Sequence, residues 1–235
     1  MNDNFQRGAS VIGGASPLDV RARVMRNVYW LLALSMIPTI FGAWVGVATG
    51  FGVHQPGVHT SAIPQFVLFI AWFGMSFAIQ RYRNSSIGVG LLLAFTFLTG
   101  LLISTLLSYV LAMSNGVALV ALAFGGTAGV FATMATVATV SKRDFSGLGK
   151  FMLVGLVIIV LASLANIFLQ IPALMLTISV LAIVIFSGLL LFDVQRVVNG
   201  GETNYVSATL MIYLDLVNIF YNLLMLLGIF GGNRD

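Results

Sequence analysis

The chain alternates long apolar runs with short polar breaks, and the length of the runs decides what they are. Seven runs of about 20 residues pass with almost no charge, the length a helix needs to cross a hydrocarbon core of roughly 30 Å. They cover approximately residues 28 to 50, 63 to 80, 87 to 110, 116 to 140, 151 to 170, 173 to 193 and 205 to 230. None shows the two-residue alternation of a barrel strand, and only helices and closed barrels satisfy their backbone in lipid. The pattern predicts an all-α fold, a polytopic membrane bundle of about seven transmembrane helices. Pro38 falls inside the first run and should kink it, whereas Pro64 and Pro172 stand where helices begin, a position that tolerates proline.

The polar breaks set the orientation, because cytoplasmic loops carry the excess of Lys and Arg. Arg7, Arg21, Arg23 and Arg26 precede the first run; Arg81 and Arg83 bound the second-to-third break; Lys142, Arg143 and Lys150 fill the fourth-to-fifth; Arg196 ends the sixth. Ten of the eleven cations thus share one side, and only Arg234 falls elsewhere. This predicts a cytoplasmic N-terminus and, with seven spans, a periplasmic C-terminus. Residues 1 to 26 read as a polar cytoplasmic tail without the apolar stretch of a signal peptide, and residues 27 to 235 as the membrane domain.

Composition agrees with the pattern: 59% of residues are hydrophobic and 8% charged, against about 25% charged in soluble domains. The formal net charge of +4 describes a basic face beside anionic lipid. No basic groove with stacking aromatics and no glycine-rich phosphate loop is present, so a nucleic-acid partner is not expected. The absence of cysteine excludes disulfides and thiolate metal sites and leaves the redox compartment open. His54 and His59, the two histidines, lie five residues apart in the first outer loop, but two imidazoles without a third donor make a poor metal site. Gly125 and Gly129 in FGGTAG form a small-xxx-small pattern that predicts close helix packing within the bundle, with homodimerisation as a further use.

Ionisable groups at membrane depth are rare and by default mark a function. Asp193 ends the sixth run in LLLFDVQRV, and Asp215 interrupts the seventh in MIYLDLVNIF. About ten residues into its helix, Asp215 lies roughly 15 Å along it, near mid-membrane, where a charge costs about 2.5 to 3.5 kcal/mol or more. It must face protein or water. Asn218 and Asn222, at i+3 and i+7, extend a supporting polar stripe, while Leu214, Leu216, Ile219 and Leu223 suit apolar neighbours. If the sixth helix runs to about Val198 and the seventh starts near Ser207, the two aspartates lie about one helical turn apart in depth. Two carboxylates that close cannot both ionise cheaply, so they would titrate as a unit and form a proton-controlled cation site. Arg81, Arg83 or Arg196 could act as a latching counter-ion.

Plainer readings stand beside these. Asp193 has Arg196 at i+3 and can form an interfacial salt bridge with it. Asp215 can serve as a structural hydrogen-bonding residue, and Arg81 and Arg83 as topology determinants. Intramembrane aspartyl proteases also place one catalytic aspartate on each of two consecutive spans. Here, however, Ile212, Tyr213 and Leu214 precede Asp215, where those enzymes carry a Gly-x-Gly that exposes the backbone to substrate.

Several of these stretches resemble one family. The segment from NIFLQIPALM through FDVQRVVNGGETNYVSATL and MIYLDLVNIFYNLLMLLGIFGGNRD is similar to the C-terminal half of the Bax inhibitor-1 family of seven-span proteins. SKRDFSGLGKFM resembles the loop after its fourth span and MRNVYWLLALSM its first span, so the resemblance covers essentially residues 20 to 235. It implies two branches. In one, calcium-leak proteins sense pH through a carboxylate pair in the sixth and seventh spans beside a central last helix; Asp193 and Asp215 match that pair, Arg81 or Arg83 would be the latch, and Ca2+ the transported ion. The other branch is bacterial, of the inner membrane, similar to the modulator of the membrane-anchored AAA protease FtsH. QIPALMLTIS and NGGETNYVSATL look closest to that second branch. The expectation is a non-enzymatic inner-membrane protein with the FtsH complex as partner, whose carboxylate pair is a pH-sensitive cation site.

Overall fold

The computed structural model describes residues 17–51, 63–141 and 143–231, and among them the chain forms seven α-helices and no strand. The helices are α1 (Pro17–Thr49), α2 (Ile63–Tyr82), α3 (Ser86–Leu111), α4 (Gly116–Val140), α5 (Ser146–Leu169), α6 (Pro172–Val198) and α7 (Tyr205–Gly231). Six of them are long and apolar enough to cross a membrane, and α2 is a shorter apolar helix over Phe66–Tyr82. The protein is a multi-pass membrane helical bundle. Arg7, His54, His59, Lys142 and Arg234 lie outside the described residues, and so does the first part of the polar tail.

The helix limits follow local chemistry. Pro17 opens α1, a position where its missing N–H costs nothing, so residues 17 to 26 of the segment assigned to the tail are helical. Pro38 sits inside α1 without ending it. Asn204 caps α7: its Oδ1 accepts the N–H groups of Val206 and Ser207, each at 3.0 Å. At the end of α5, Gln170 takes a left-handed conformation (φ 51°), Asn166 Oδ1 accepts the N–H of Ile171, and Pro172 starts α6.

Apolar burial does little to drive helices together in lipid, where packing and hydrogen bonds take over. The tightest packing is between α1 and α3. A Cβ on Gly42 would lie 2.1 Å from the Phe97 carbonyl oxygen, one on Gly46 2.2 Å from Ser104 Oγ, and one on Gly100 2.1 Å from the Thr39 carbonyl oxygen. These three glycines let the two backbones meet. The expected packing through Gly125 and Gly129 is corrected: both are exposed, with nothing within 4 Å of a Cβ at either, because that edge of α4 turns outward while Gly126, 3.3 Å from Leu223, faces α7.

α7 is the centre of the bundle, packing against α1, α2, α3, α4 and α6. α1 and α2 pack on α3 in one group and α4 and α5 on α6 in another, and α7 touches both groups. α5 packs only on α6 among the described residues, and its outer face, including Phe151, Ile167 and Phe168, is exposed for lipid.

Candidate functional site

Asp193 lies five residues before the end of α6, about 7 Å in, and Asp215 ten residues after the start of α7, about 15 Å in. The antiparallel hairpin sets their carboxyl groups close enough to act on one another. Asp215 is 4% exposed, and its Oδ2 meets no donor among the described residues. Two carboxylates have no hydrogen to share, so a bond between these groups requires a proton on one of them. Without that proton the pair is a buried double negative charge that only a cation can compensate. The arrangement can therefore hold a proton, or exchange it for a cation.

Arg81 and Arg83 are exposed at the end of α2 and carry no ion pair among the described residues. Arg196 reaches Glu202 of the α6–α7 turn at 3.8 Å, although it also lies close enough to act on Asp193 electrostatically. Asn218 and Asn222 extend the polar stripe but turn their amides back on their own helix. Asn218 Nδ2 donates to the Leu214 carbonyl and Asn222 Nδ2 to the Asn218 carbonyl, both at 2.8 Å. Neither supports Asp215 as a donor. Among the described residues no three of His, Asp and Glu gather as a metal site, so a bound Ca2+, which takes six to eight oxygens, would need carbonyls or water beside the two carboxylates.

Opposite Asp215, two residues back on α7, Tyr213 is fully buried. Its hydroxyl shares a 2.7 Å hydrogen bond with Thr39 Oγ1 of α1 and lies 3.5 Å from the Thr96 carbonyl of α3. Trp72 Nε1 of α2 donates to Thr99 Oγ1 at 2.8 Å, and the Trp72, Phe95 and Tyr213 rings pack in series. This network ties the back of α7 to α1 and α3 and so fixes the rotation at which Asp215 faces α6. A tyrosine inside an apolar run carries no mark of such a role.

Two loops are fastened to the α6–α7 hairpin by side-chain amides, and sequence reading passed both over. Gln195, 4% exposed, donates to the Arg143 carbonyl at 2.7 Å and accepts the Phe145 N–H at 2.8 Å, clamping the SKRDF loop to α6. Asn204 Nδ2 donates to the Arg83 carbonyl and to Asn84 Oδ1, and Ser207 Oγ donates to Gln80 Oε1. The one available signal was polarity: Gln195 follows Asp193 by two residues inside an apolar run, and Asn204 is a capping residue type before one.

A family model described as Inhibitor of apoptosis-promoting Bax1 matches residues 21–233. This chain belongs to the Bax inhibitor-1 family. Among Bax inhibitor-1 relatives, the modulator of FtsH protease YccA of Escherichia coli is 35% identical over 207 residues, 88% of this chain and 90% of its own length. An uncharacterized protein of Neisseria meningitidis is 39% identical over 87% of this chain and 89% of its own, and a membrane protein of Vibrio cholerae 36% identical over 90% and 91%. The Bax inhibitor-1 match takes in α1 from Arg21 onward and all of α2 to α7, the hairpin with both aspartates included.

Proposed function

We propose that this protein is a non-enzymatic modulator of a membrane-anchored AAA protease of the FtsH kind, set in a bacterial inner membrane with its N-terminus in the cytoplasm. The observation that carries this reading is the 35% identity, along nearly the whole of both chains, to a relative that bears that role in its name. The test is capture. Tagged protein solubilised from bacterial membranes should bring FtsH with it, and raising its level should lengthen the half-life of an FtsH membrane substrate. Absence of both effects would overturn the reading. An AAA machine engages its substrates at a chain end. Since α1 starts at Pro17, the informative deletion removes residues 1 to 16 and keeps the helix whole. That deletion should spare the protein itself from FtsH, and continued turnover would remove the tail from the account.

A second reading, which can hold in the same chain, is that Asp193 and Asp215 form a proton-controlled cation site that leaks Ca2+. It is favoured by the buried Asp215 oxygen that lacks a donor and faces a second carboxyl group. Purified protein in liposomes should pass Ca2+ at a rate that changes from about pH 6 to 8, where a proton-sharing carboxylate pair can titrate. Asp215→Asn should lose that pH dependence. Flux that is equal in the two proteins at every pH would overturn the cation site and leave FtsH binding untouched. A peptidase has less in its favour, since at 4% exposure Asp215 offers an extended peptide no approach.

A further inference from the structure

A groove on the flank of α1 serves neither reading. Met25, Arg26, Tyr29, Trp30 and Ala33 line it, around a space of about 470 Å3. Steps of four residues, from Met25 to Tyr29 to Ala33 and from Arg26 to Trp30, put all five on one face of the helix. Among the described residues α1 packs on α3, α6 and α7 but not on α4, and the Tyr29 ring reaches across to meet Phe131 of α4 edge-on, with centroids 6.2 Å apart. The groove therefore borders the gap between α1 and α4. Trp30, 73% exposed, stands up as one wall, and the small side chain of Ala33 leaves a recess one turn further along.

The groove changes character along the membrane normal. No charge follows Arg26 in α1, and Trp30 stands about 20 residues before the end of the helix at Thr49, the length of one hydrocarbon crossing. Trp30 is thus at the boundary where aromatic rings gather. Arg26, one turn earlier, lies about 6 Å further out, within the headgroup layer, and Ala33 lies beside the acyl chains. Arg26 is exposed and carries no ion pair among the described residues. It stands at the end of the bundle that also bears Arg81, Arg83, Arg143, Lys150 and Arg196. No carboxylate lines the groove, so an amine headgroup would find no counter-charge there. An apolar partner helix laid in the same place would cover Arg26 without pairing it.

We propose that this groove seats an anionic phospholipid from the leaflet beside the basic loops. The lipid phosphate pairs with Arg26, the glycerol backbone lies level with Tyr29 and Trp30, and an acyl chain fills the recess over Ala33. The Tyr29 hydroxyl, which makes no hydrogen bond among the described residues, is left to donate to a lipid ester carbonyl. A cation at the mouth of an interhelical groove is the general form of a site for such headgroups. Neither the aspartate pair nor protease binding enters this inference.

Trp30 itself reports on the site. Full-length protein is placed in phosphatidylcholine vesicles in which a small, fixed share of the lipid is brominated phosphatidylglycerol or, in parallel, brominated phosphatidylcholine. Bromine quenches tryptophan on contact, and the part of the quenching that disappears in Trp30→Phe belongs to Trp30, since Trp44 and Trp72 remain. In the wild type Trp30 should favour the anionic lipid about fivefold, the ratio that one arginine near an anionic surface is worth. Arg26→Gln should abolish that preference, and Arg26→Lys, which keeps the charge, should retain most of it. Ala33→Phe, which fills the recess and leaves Arg26 in place, should also abolish it. Lys150→Gln, which removes an exposed cation from the same end of the bundle, should leave the ratio as in the wild type. Equal quenching by the two lipids, or quenching by neither because protein covers the groove, would overturn the site. So would a preference that survives Arg26→Gln or falls as far in Lys150→Gln, since that is a general attraction of the basic face.

Discussion

Gln195 answers two backbone groups at once, and its loss leaves both without a partner. Gln195→Leu, similar in size, should destabilise by about 1 to 3 kcal/mol, since each buried orphan group costs on that order. The loss should be local, with faster hydrogen exchange at Phe145 and its neighbours and unchanged exchange in α3. Asp144, in the same loop, accepts both the N–H and the hydroxyl of Ser146, and these bonds hold its carboxyl below the usual carboxylate range. A lowered folded value means the contribution is present above the ordinary value near 4 and is lost as pH falls through the folded one. Asp144→Asn should therefore loosen the start of α5 at neutral pH, and the difference should shrink as pH falls through the lowered folded value, as exchange at Ser146 would report. Asp193 and Asp215 were legible in the sequence because a carboxylate in an apolar run is conspicuous. Gln195, Asn204 and Glu202 were not, because their partners lie 50 to 121 residues away or in a turn whose path no periodicity encodes.

Helices were legible for a different reason: about 20 apolar residues without a charge is among the strongest signals a sequence carries. Which face of each helix turns inward was not. FGGTAG and the glycines of α1 look alike as strings, yet Gly46 meets Ser104 while Gly125 meets nothing. The contrast gives a paired test. Gly46→Leu should overpack the α1–α3 crossing and cost at least the 1 to 3 kcal/mol typical of such insertions, about, whereas Gly125→Leu should stay within about 0.5 kcal/mol. Thermal unfolding of the two variants in the same detergent measures the difference, and equal melting temperatures would contradict the crossing. Helix limits shifted where a charge fell within a turn of the apolar run: α5 begins before Lys150 and α6 continues past Arg196, because a long cationic side chain can reach water from inside the helix.

At the level of the whole molecule, α7 joins two groups of three helices and carries Tyr213 toward one and Asp215 toward the other. Tyr213→Phe removes the hydroxyl that meets Thr39 and should cost about 0.5 to 1.5 kcal/mol. It should also disturb whatever pH response Asp215 supports, although the tyrosine touches neither carboxylate. Comparing that response in Tyr213→Phe and Phe95→Leu, which thins the same packing but keeps the hydroxyl, separates rotation of α7 from general loosening. The central place of α7 has a further consequence during synthesis. The ribosome delivers α1 to α6 first, so the five helices that pack on α7 enter the bilayer before their shared neighbour exists. Until translation reaches it, the slot stands open to lipid, and the nascent bundle is an incomplete membrane protein of the kind cellular quality control removes.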